Sequence, residues 1–441
     1  MAALDTAVPP LDQPISLSAA NSGLHNHLSL AFMLALGIVC VVDAMIISSL
    51  ITPIKEHFNL TDEQIGRLSS SFTIAGIVGA PLFGYLANRL GRKLVLFSGV
   101  LLWSFASIAS GWAEGFLGLL LWRVLTGFGE AAYGGLAPSW LADLYRPKWR
   151  NLVFSLYMLR NKIGSALALA LGGWLAAEYG WRVAFYIAGI PGLVLALVLL
   201  LIKEPQLGAS DGAAVVRRKL SFREGLAVFR HPGYLLHSLA LCFFFTAMMT
   251  QIWIPAYLYR TFAIPNQKAS LFLAQVLLYT APAGLVGGYL SSLLLRGRRW
   301  GFPAFLAATS LMAAPLYGMA YTSSDVATSQ ALIIAGIITF GLSAGTLTTL
   351  VVETVPAYLR NSAVSFSVVI SGGTSGIVAP ELIGHLSDAF GLQRALLVAP
   401  VCYLLAGLVW LVLSLWLGRS RAADTTASSI PSPISHTEDY P

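Results

Sequence analysis

Twelve long apolar runs separated by short polar loops limit what this chain can fold into more than any other feature. They fall at about 28–54, 63–87, 93–112, 115–142, 151–177, 181–203, 233–260, 268–295, 301–321, 327–355, 361–387 and 391–418. Each is close to the ~20 residues a helix needs to cross a hydrocarbon core. Lipid offers no partner to backbone N–H and C=O groups, so a crossing segment must be a helix or part of a closed barrel. Barrel strands are about ten residues long and alternate in polarity, which these runs do not. Of the 441 residues, 56% are hydrophobic and only 11% charged, against roughly 25% charged in soluble proteins. The expected fold class is an all-α membrane protein with twelve transmembrane helices.

The loops carry the remaining information on topology. Arg89, Arg92, Lys93, Arg146, Lys148, Arg150, Lys203, Arg217, Arg218, Lys219, Arg223, Arg230, Arg296, Arg298, Arg299, Arg360, Arg419 and Arg421 fall on one side, against Lys55, Arg67, Arg182, Arg260, Lys268 and Arg394 on the other. Positive charge collects in cytoplasmic loops, so both termini are expected in the cytoplasm, with the chain in the cell (inner) membrane. The same distribution explains the net charge of +7 without a nucleic-acid partner. Cys40, Cys242 and Cys402 all lie inside spans, which excludes a disulfide framework or metal-ligand spacing. No cleavable signal peptide is evident.

The two halves of the chain repeat. Asp143 followed by Arg150-Asn151 is echoed by Glu353 followed by Arg360-Asn361, and Gly173…Gly180 by Gly384…Gly391. Two six-helix bundles related by pseudo-symmetry are the plan of a secondary transporter whose site lies between the halves. The expected organisation is a tail at 1–26, a bundle at 27–203, a linker with an interfacial helix at 204–232, a second bundle at 233–418 and a disordered tail at 419–441. Thr61-Asp-Glu-Gln64 reads as a capping box opening the second span, and Ser221-Phe-Arg-Glu224 as one opening the interfacial helix.

Within this apolar background, a few charges stand at bilayer depth, where ionised side chains are costly and mark function by default. Arg123 and Glu130 are seven residues apart on the fourth span, so they share a face ~10 Å apart along the axis. Asp43 on the first span is expected at the depth of Arg123. Asp43 and Glu130 are candidate proton sites, and Arg123 a charge partner or substrate contact; the bland alternative is a permanent ion pair that only fixes packing. Arg160 and Lys162 on the fifth span are candidate cavity residues, about 200° apart on the helix, so only one is expected to face the cavity. Tyr133, Gln251, Gln275 and Tyr279 are further candidates, although in-membrane amides and hydroxyls mostly bond neighbouring helices. His237 reads as a packing residue. Asp143, Arg150, Glu353 and Arg360 are expected to form gating salt bridges at helix ends, and Glu381 to be a surface or outer-gate residue rather than a transport acid.

The segment Gly84-Tyr-Leu-Ala-Asn88-Arg89-Leu-Gly91-Arg92-Lys93 resembles the hallmark loop of the major facilitator superfamily, and Arg123-Val-Leu-Thr-Gly127-Phe-Gly129-Glu130 resembles its fourth-span motif. Within the superfamily, Gly127-Phe-Gly-Glu-Ala-Ala-Tyr133 with Ala137-Pro138 and Leu141-Ala-Asp-Leu-Tyr145 is similar to the spinster branch of lipid transporters; organic-anion/proton symporters carry a related fourth span. The resemblance implies alternating access by two rocking halves. Three departures bear on it. Asn88 replaces the loop acid that latches the outward-open state, which implies a weaker latch. Ala44 stands where an arginine usually follows the first-span acid. Arg160 and Lys162 precede Gly164-Ser165 where small residues and proline are usual.

These readings converge on a proton-coupled secondary transporter of an amphipathic, lipid-like or small organic anionic substrate. Its expected partners are protons, the substrate and the surrounding membrane lipids; no cofactor, metal or partner subunit is implied, so the chain is expected to act as a monomer. A drug/proton antiporter is the alternative within transport, and a non-transporting sensor with a transporter fold the alternative outside it. No nucleotide-binding loop, nucleophile–base pair or metal motif supports an enzyme.

Overall fold

A computed structural model describes residues 22–206, 222–294, 300–356 and 359–428. Among them the chain is helical, and ten helices are long and apolar enough to cross a membrane by length and composition. The two further long helices, Phe116–Leu144 and Pro147–Glu178, are the ones that carry Arg123 and Glu130, and Arg160 and Lys162. They bring the crossings to the expected twelve. The first six spans are Ser22–Phe58, Asp62–Leu90, Arg92–Ser110, Phe116–Leu144, Pro147–Glu178 and Trp181–Leu199. An even number of crossings returns the chain to the side it started from, here called the termini side, opposite the far side.

The C-terminal half is less regular. The seventh span is Pro232–Met249, a 3₁₀ turn at Thr250–Trp253 and Ile254–Phe262; the eighth is Asn266–Tyr279 and Ala283–Leu294, broken at Pro282. The ninth and tenth spans are Gly301–Thr322 and Val326–Glu353. The eleventh runs from Arg360–Ser367 through a π-helical stretch, Val368–Gly373, into Thr374–Phe390, and the twelfth from Leu392–Ala395 into Val398–Ser428. Breaks of this kind arise where proline or a wide turn removes an intrahelical hydrogen bond. The last helix continues to Ser428, past the expected end of the twelfth span at 418.

Local sequence explains the sharp joins. Thr61 and Gln64 form the expected capping box, with Gln64 N–H donating to Thr61 Oγ1 and Thr61 N–H to Gln64 Oε1. Gly91, Gly180 and Gly391 each adopt φ between +85° and +89° before the next helix. A Cβ would be strained there, and the last two are the positions paired by the sequence repeat. Ser221 of the second expected box lies outside the described residues, as do Arg217, Arg218, Lys219, Arg296, Arg298 and Arg299. The helical turn after Ser221, Phe222–Gly225, leads into a 3₁₀ turn at Leu226–Arg230. This segment docks on the C-terminal half, with the Phe229 ring 5.2 Å from that of Phe366.

Packing within the halves is equivalent: the second span lies on the fourth as the eighth lies on the tenth, and the third on the sixth as the ninth on the twelfth. Between the halves, the second span packs along the eleventh and the fifth along the eighth. A two-fold exchange of the halves turns one of these contacts into the other. The first of these contacts needs small residues on the far side. A methyl added to Gly66 would enter the Pro380 carbonyl, and one on Gly384 the backbone of Asp62.

Candidate functional site

The buried charges assemble in the N-terminal half. Asp43 is wholly buried and Arg123 is 1% exposed. Arg123 Nη1 lies 3.9 Å from Asp43 Oδ1, and its two terminal nitrogens reach the Asp43 and Ala44 carbonyls at 3.4 and 3.5 Å. The guanidinium sits 4.5 Å over the Phe72 ring, a cation–π contact from the second span. Ser107 on the third span donates to Asp43 Oδ1 at 2.8 Å. Asp43 Oδ2 and Arg123 Nε have no hydrogen-bond partner. The pair is therefore loose: the carbonyls, Ser107 and Phe72 share what a close bidentate pair would satisfy alone.

Glu130 lies two turns along the fourth span and is 8% exposed. Cys40 Sγ donates to its Oε2 at 3.3 Å, and Oε1 has no partner. No cation pairs with it among the described residues. Cys40 precedes Asp43 by three positions, so one face of the first span presents both the thiol and the acid. Arg160 projects into the same half. Its guanidinium is 4.2 Å from the Tyr157 ring and 5.3 Å from that of Tyr133, and its Nε is buried without a partner.

Tyr133 was expected to line a cavity and does not. It is fully buried, and its hydroxyl donates to the Met33 carbonyl at 2.7 Å. The absence of a side chain at Gly37 makes the room, because a Cβ there would meet the Tyr133 ring. Lys162 points the other way, its Nζ 5.9 Å from the Phe340 ring of the tenth span. The 200° separation thus sends Arg160 into the N-terminal bundle and Lys162 across to the other half. Gln251 Nε2 donates to Tyr317 OH at 3.2 Å, within the C-terminal bundle. Gln275 and Tyr279 are exposed on the eighth span and do not join the charged cluster. His237 is buried: Trp410 Nε1 donates to its Nδ1 at 3.0 Å and its Nε2 faces the Leu347 carbonyl at 3.2 Å. That arrangement is the packing role expected of it.

At the ends of the third and fourth spans the charges form a cluster. Arg92 binds Asp143 and Glu204, and its Nη2 donates to the Pro205 carbonyl at 2.7 Å. The Glu204 carboxylate also receives the backbone N–H groups of Arg92 and Lys93, both at 3.2 Å, which places an anion at the positive start of the third span. Arg150 donates to the Ala142 and Tyr145 carbonyls, and Arg360 to that of Val352. Both arginines thus cap the preceding span eight residues back, as the repeat requires. Arg92–Asp143 is a salt bridge between the ends of the third and fourth spans, and Arg150 and Arg360 also hold carbonyls at the ends of the spans that precede them. Glu353, Asn88 and Arg89 are exposed, with Arg89 stacked 4.8 Å over Tyr85, and Gly84 faces open space.

Among the described residues, the polar contacts between the halves lie toward the far side. Asp62 at the start of the second span is their centre. Arg260 of the seventh span donates to it at 2.6 and 2.9 Å, Ser387 of the eleventh at 2.6 Å and Lys55 of its own half at 2.6 Å. Asp388 accepts the backbone N–H groups of Asp62 and Glu63, both at 2.8 Å. Ser70 of the second span donates to Glu381 of the eleventh at 2.5 Å. Among the described residues, these contacts hold the two halves together on the far side. Sequence reasoning missed Ser107, Phe72, Cys40, Glu204 and the Asp62 cluster. Of these only Cys40 carried a signal, its three-residue spacing from Asp43.

The description Major Facilitator Superfamily matches residues 32–380. Protein spinster of Drosophila melanogaster is 27% identical over 79% of this chain, which spans 60% of that protein's length. The sphingosine-1-phosphate transporter SPNS2 of Mus musculus is 26% identical over 89% of this chain and 78% of its own length. The crystal structure of a bacterial homolog to the human lysosomal transporter Spinster, inward-facing and unoccupied, superposes with a TM-score of 0.82 at 22% identity, covering 90% of this chain and 98% of that one. A D-xylose–proton symporter gives 0.69 at 18% identity, covering 87% and 96%.

Proposed function

Because the chain belongs to the Major Facilitator Superfamily, and is a multi-pass membrane transporter rather than an enzyme, we propose that it couples proton movement to transport of an amphipathic anion by alternating access. The observation that carries this reading is the buried triad of Asp43, Arg123 and Glu130. A buried carboxylate without a counter-charge costs several kcal/mol. Glu130, with only the Cys40 thiol bonded to its carboxylate, is the group assigned to exchange a proton when the bundle moves and water reaches it. Proton loss or gain there, and at Asp43, changes how tightly Arg123 is held by its own half. The rocking of the halves about the far-side contact follows from that change.

Substrate class is supported by two features. The charge that faces the opposite half, Lys162, is positive, which favours an anion over the cations a drug/proton antiporter would take. Similarity to a sphingosine-1-phosphate transporter supports a single-chain lipid with an anionic head. Loop charge supports a cytoplasmic termini side, so the far-closed state is inward-facing.

Uptake by proteoliposomes with and without a pH gradient tests the coupling. Glu130→Gln and Asp43→Asn should each abolish gradient-driven accumulation while counterflow of substrate persists. Wild-type pH dependence in both variants would overturn the proton assignment.

A further inference from the structure

An open apolar pocket of about 270 Å³ lies in the C-terminal half between the seventh, tenth and eleventh spans. Its walls include Leu241, Phe245, Leu347, Val351, Val364 and Val368. Part of one wall is the π-helical stretch of the eleventh span, Val368–Gly373. A π turn widens a helix and is found mostly at functional positions. Its one hydroxyl, that of Ser371, donates back to the Ser367 carbonyl on its own helix. What remains toward the pocket is almost entirely hydrocarbon.

Two contacts place the pocket on the transport route rather than on the lipid face. Gly372 lines it, and the next residue, Gly373, abuts Ile77 of the second span, whose Cδ1 would lie 2.9 Å from an added Cβ. The pocket therefore begins where the contact between the halves ends, on the termini side. At its upper end, Phe340 stacks on Phe244 with ring centroids 5.2 Å apart, and Phe340 carries the amine of Lys162 at 5.9 Å. Phe340 and the pocket residue Leu347 are seven positions apart, so they share a face of the tenth span ~10 Å apart along its axis. Among the described residues no carboxylate pairs with Lys162. A cation–π contact near 6 Å is a weak partner for an amine away from bulk water.

We propose that Lys162 and this pocket form one amphiphile site, the amine holding an anionic head group at mid-membrane and the pocket holding the hydrocarbon chain toward the termini side. The inference rests on the transport reading above and sharpens it by giving head and tail to different halves. A substrate bound across the gap bridges the fifth span to the tenth and eleventh. Release of the head then frees the halves to separate.

Binding of butyl, octyl and dodecyl phosphate and of inorganic phosphate to the full chain in lipid nanodiscs tests the site. Affinity should rise about fourfold for each methylene the pocket buries. Lys162→Gln should weaken dodecyl phosphate at least tenfold and leave neutral dodecyl glucoside unchanged. Leu347→Trp and Thr348→Trp, two independent ways of filling the pocket, should flatten the chain-length series while butyl phosphate still binds. Inorganic phosphate that binds as tightly as dodecyl phosphate would overturn the pocket, and an unchanged affinity in Lys162→Gln would overturn the head-group contact. Gradient-driven transport indifferent to all three variants would sink this site and leave the transport reading standing. Binding as described, with no movement of any amphiphile in proteoliposomes, would support the site and sink the transport reading.

Discussion

Replacing Asp62 with Asn should shift the protein away from its far-closed state. The Asp62 carboxylate is 3% exposed and receives four hydrogen bonds, of which those from Arg260 and Ser387 cross between the halves. The Lys55 bond is internal to one half, so its loss weighs equally on both conformations and cancels from the equilibrium. Asn keeps one acceptor oxygen and the volume but removes the charge. Charge-assisted hydrogen bonds are worth roughly 1.5–3 kcal/mol each. Because Arg260 is 25% exposed, the lower end applies, and about 2 kcal/mol of far-side closure should be lost. That is roughly a 30-fold change in the ratio of closed to open forms. Spin labels at Glu114 and Ser324, exposed positions in far-side loops of the two halves, with Cys40, Cys242 and Cys402 replaced, would report it as growth of a longer-distance population. Lys55→Gln serves as the control and should shift the distribution much less. A distance distribution unchanged in folded Asp62→Asn, or moved equally by Lys55→Gln, would refute the assignment of Asp62 as the far-side latch.

Three further outcomes follow from the same geometry. Asp43→Asn leaves Arg123 buried without its charge partner and should cost about 3–5 kcal/mol, seen as a lower melting temperature; Asp43→Asn with Arg123→Gln should recover most of that stability without recovering proton coupling, whereas a purely structural pair predicts that transport returns with stability. Gly66→Ala drives a methyl into the Pro380 carbonyl and should wedge the second and eleventh spans apart, so the same spin-label distances should lengthen; a wild-type distribution would argue against close packing there. His237→Phe strands Trp410 Nε1 and the Leu347 carbonyl and should lower stability by about 1–3 kcal/mol without altering the pH profile of transport, a change in which would give His237 a role beyond packing.

The helical membrane fold, the repeat and the site's half of the molecule were legible because they depend on one-dimensional quantities. A run length matches a bilayer thickness, and a charge in such a run must be shielded wherever the helix goes. Asp43, Arg123 and Glu130 could be singled out for that reason alone. Tyr133 could not be placed, since its burial depends on Gly37 of another helix leaving room for its ring. The partners of Asp143 and Arg360 could not be read from the sequence for a similar reason. Spacing along the chain showed that they recur, and only coordinates showed that Arg92 claims Asp143 while Arg360 turns back onto its own bundle.

By itself, then, the sequence determined that the chain crosses the membrane as helices in two related halves and which charges must be hidden. Both follow from the cost of exposing polar groups to hydrocarbon, which is set locally. The tertiary structure alone decided which partners hide those charges, which side of the molecule is shut and which half Lys162 addresses. Those outcomes turn on side chains from distant helices meeting within a few ångströms. The Asp62 cluster is the clearest case: in sequence it is a helix start, and only the docking of the seventh and eleventh spans brings Arg260 and Ser387 to its carboxylate.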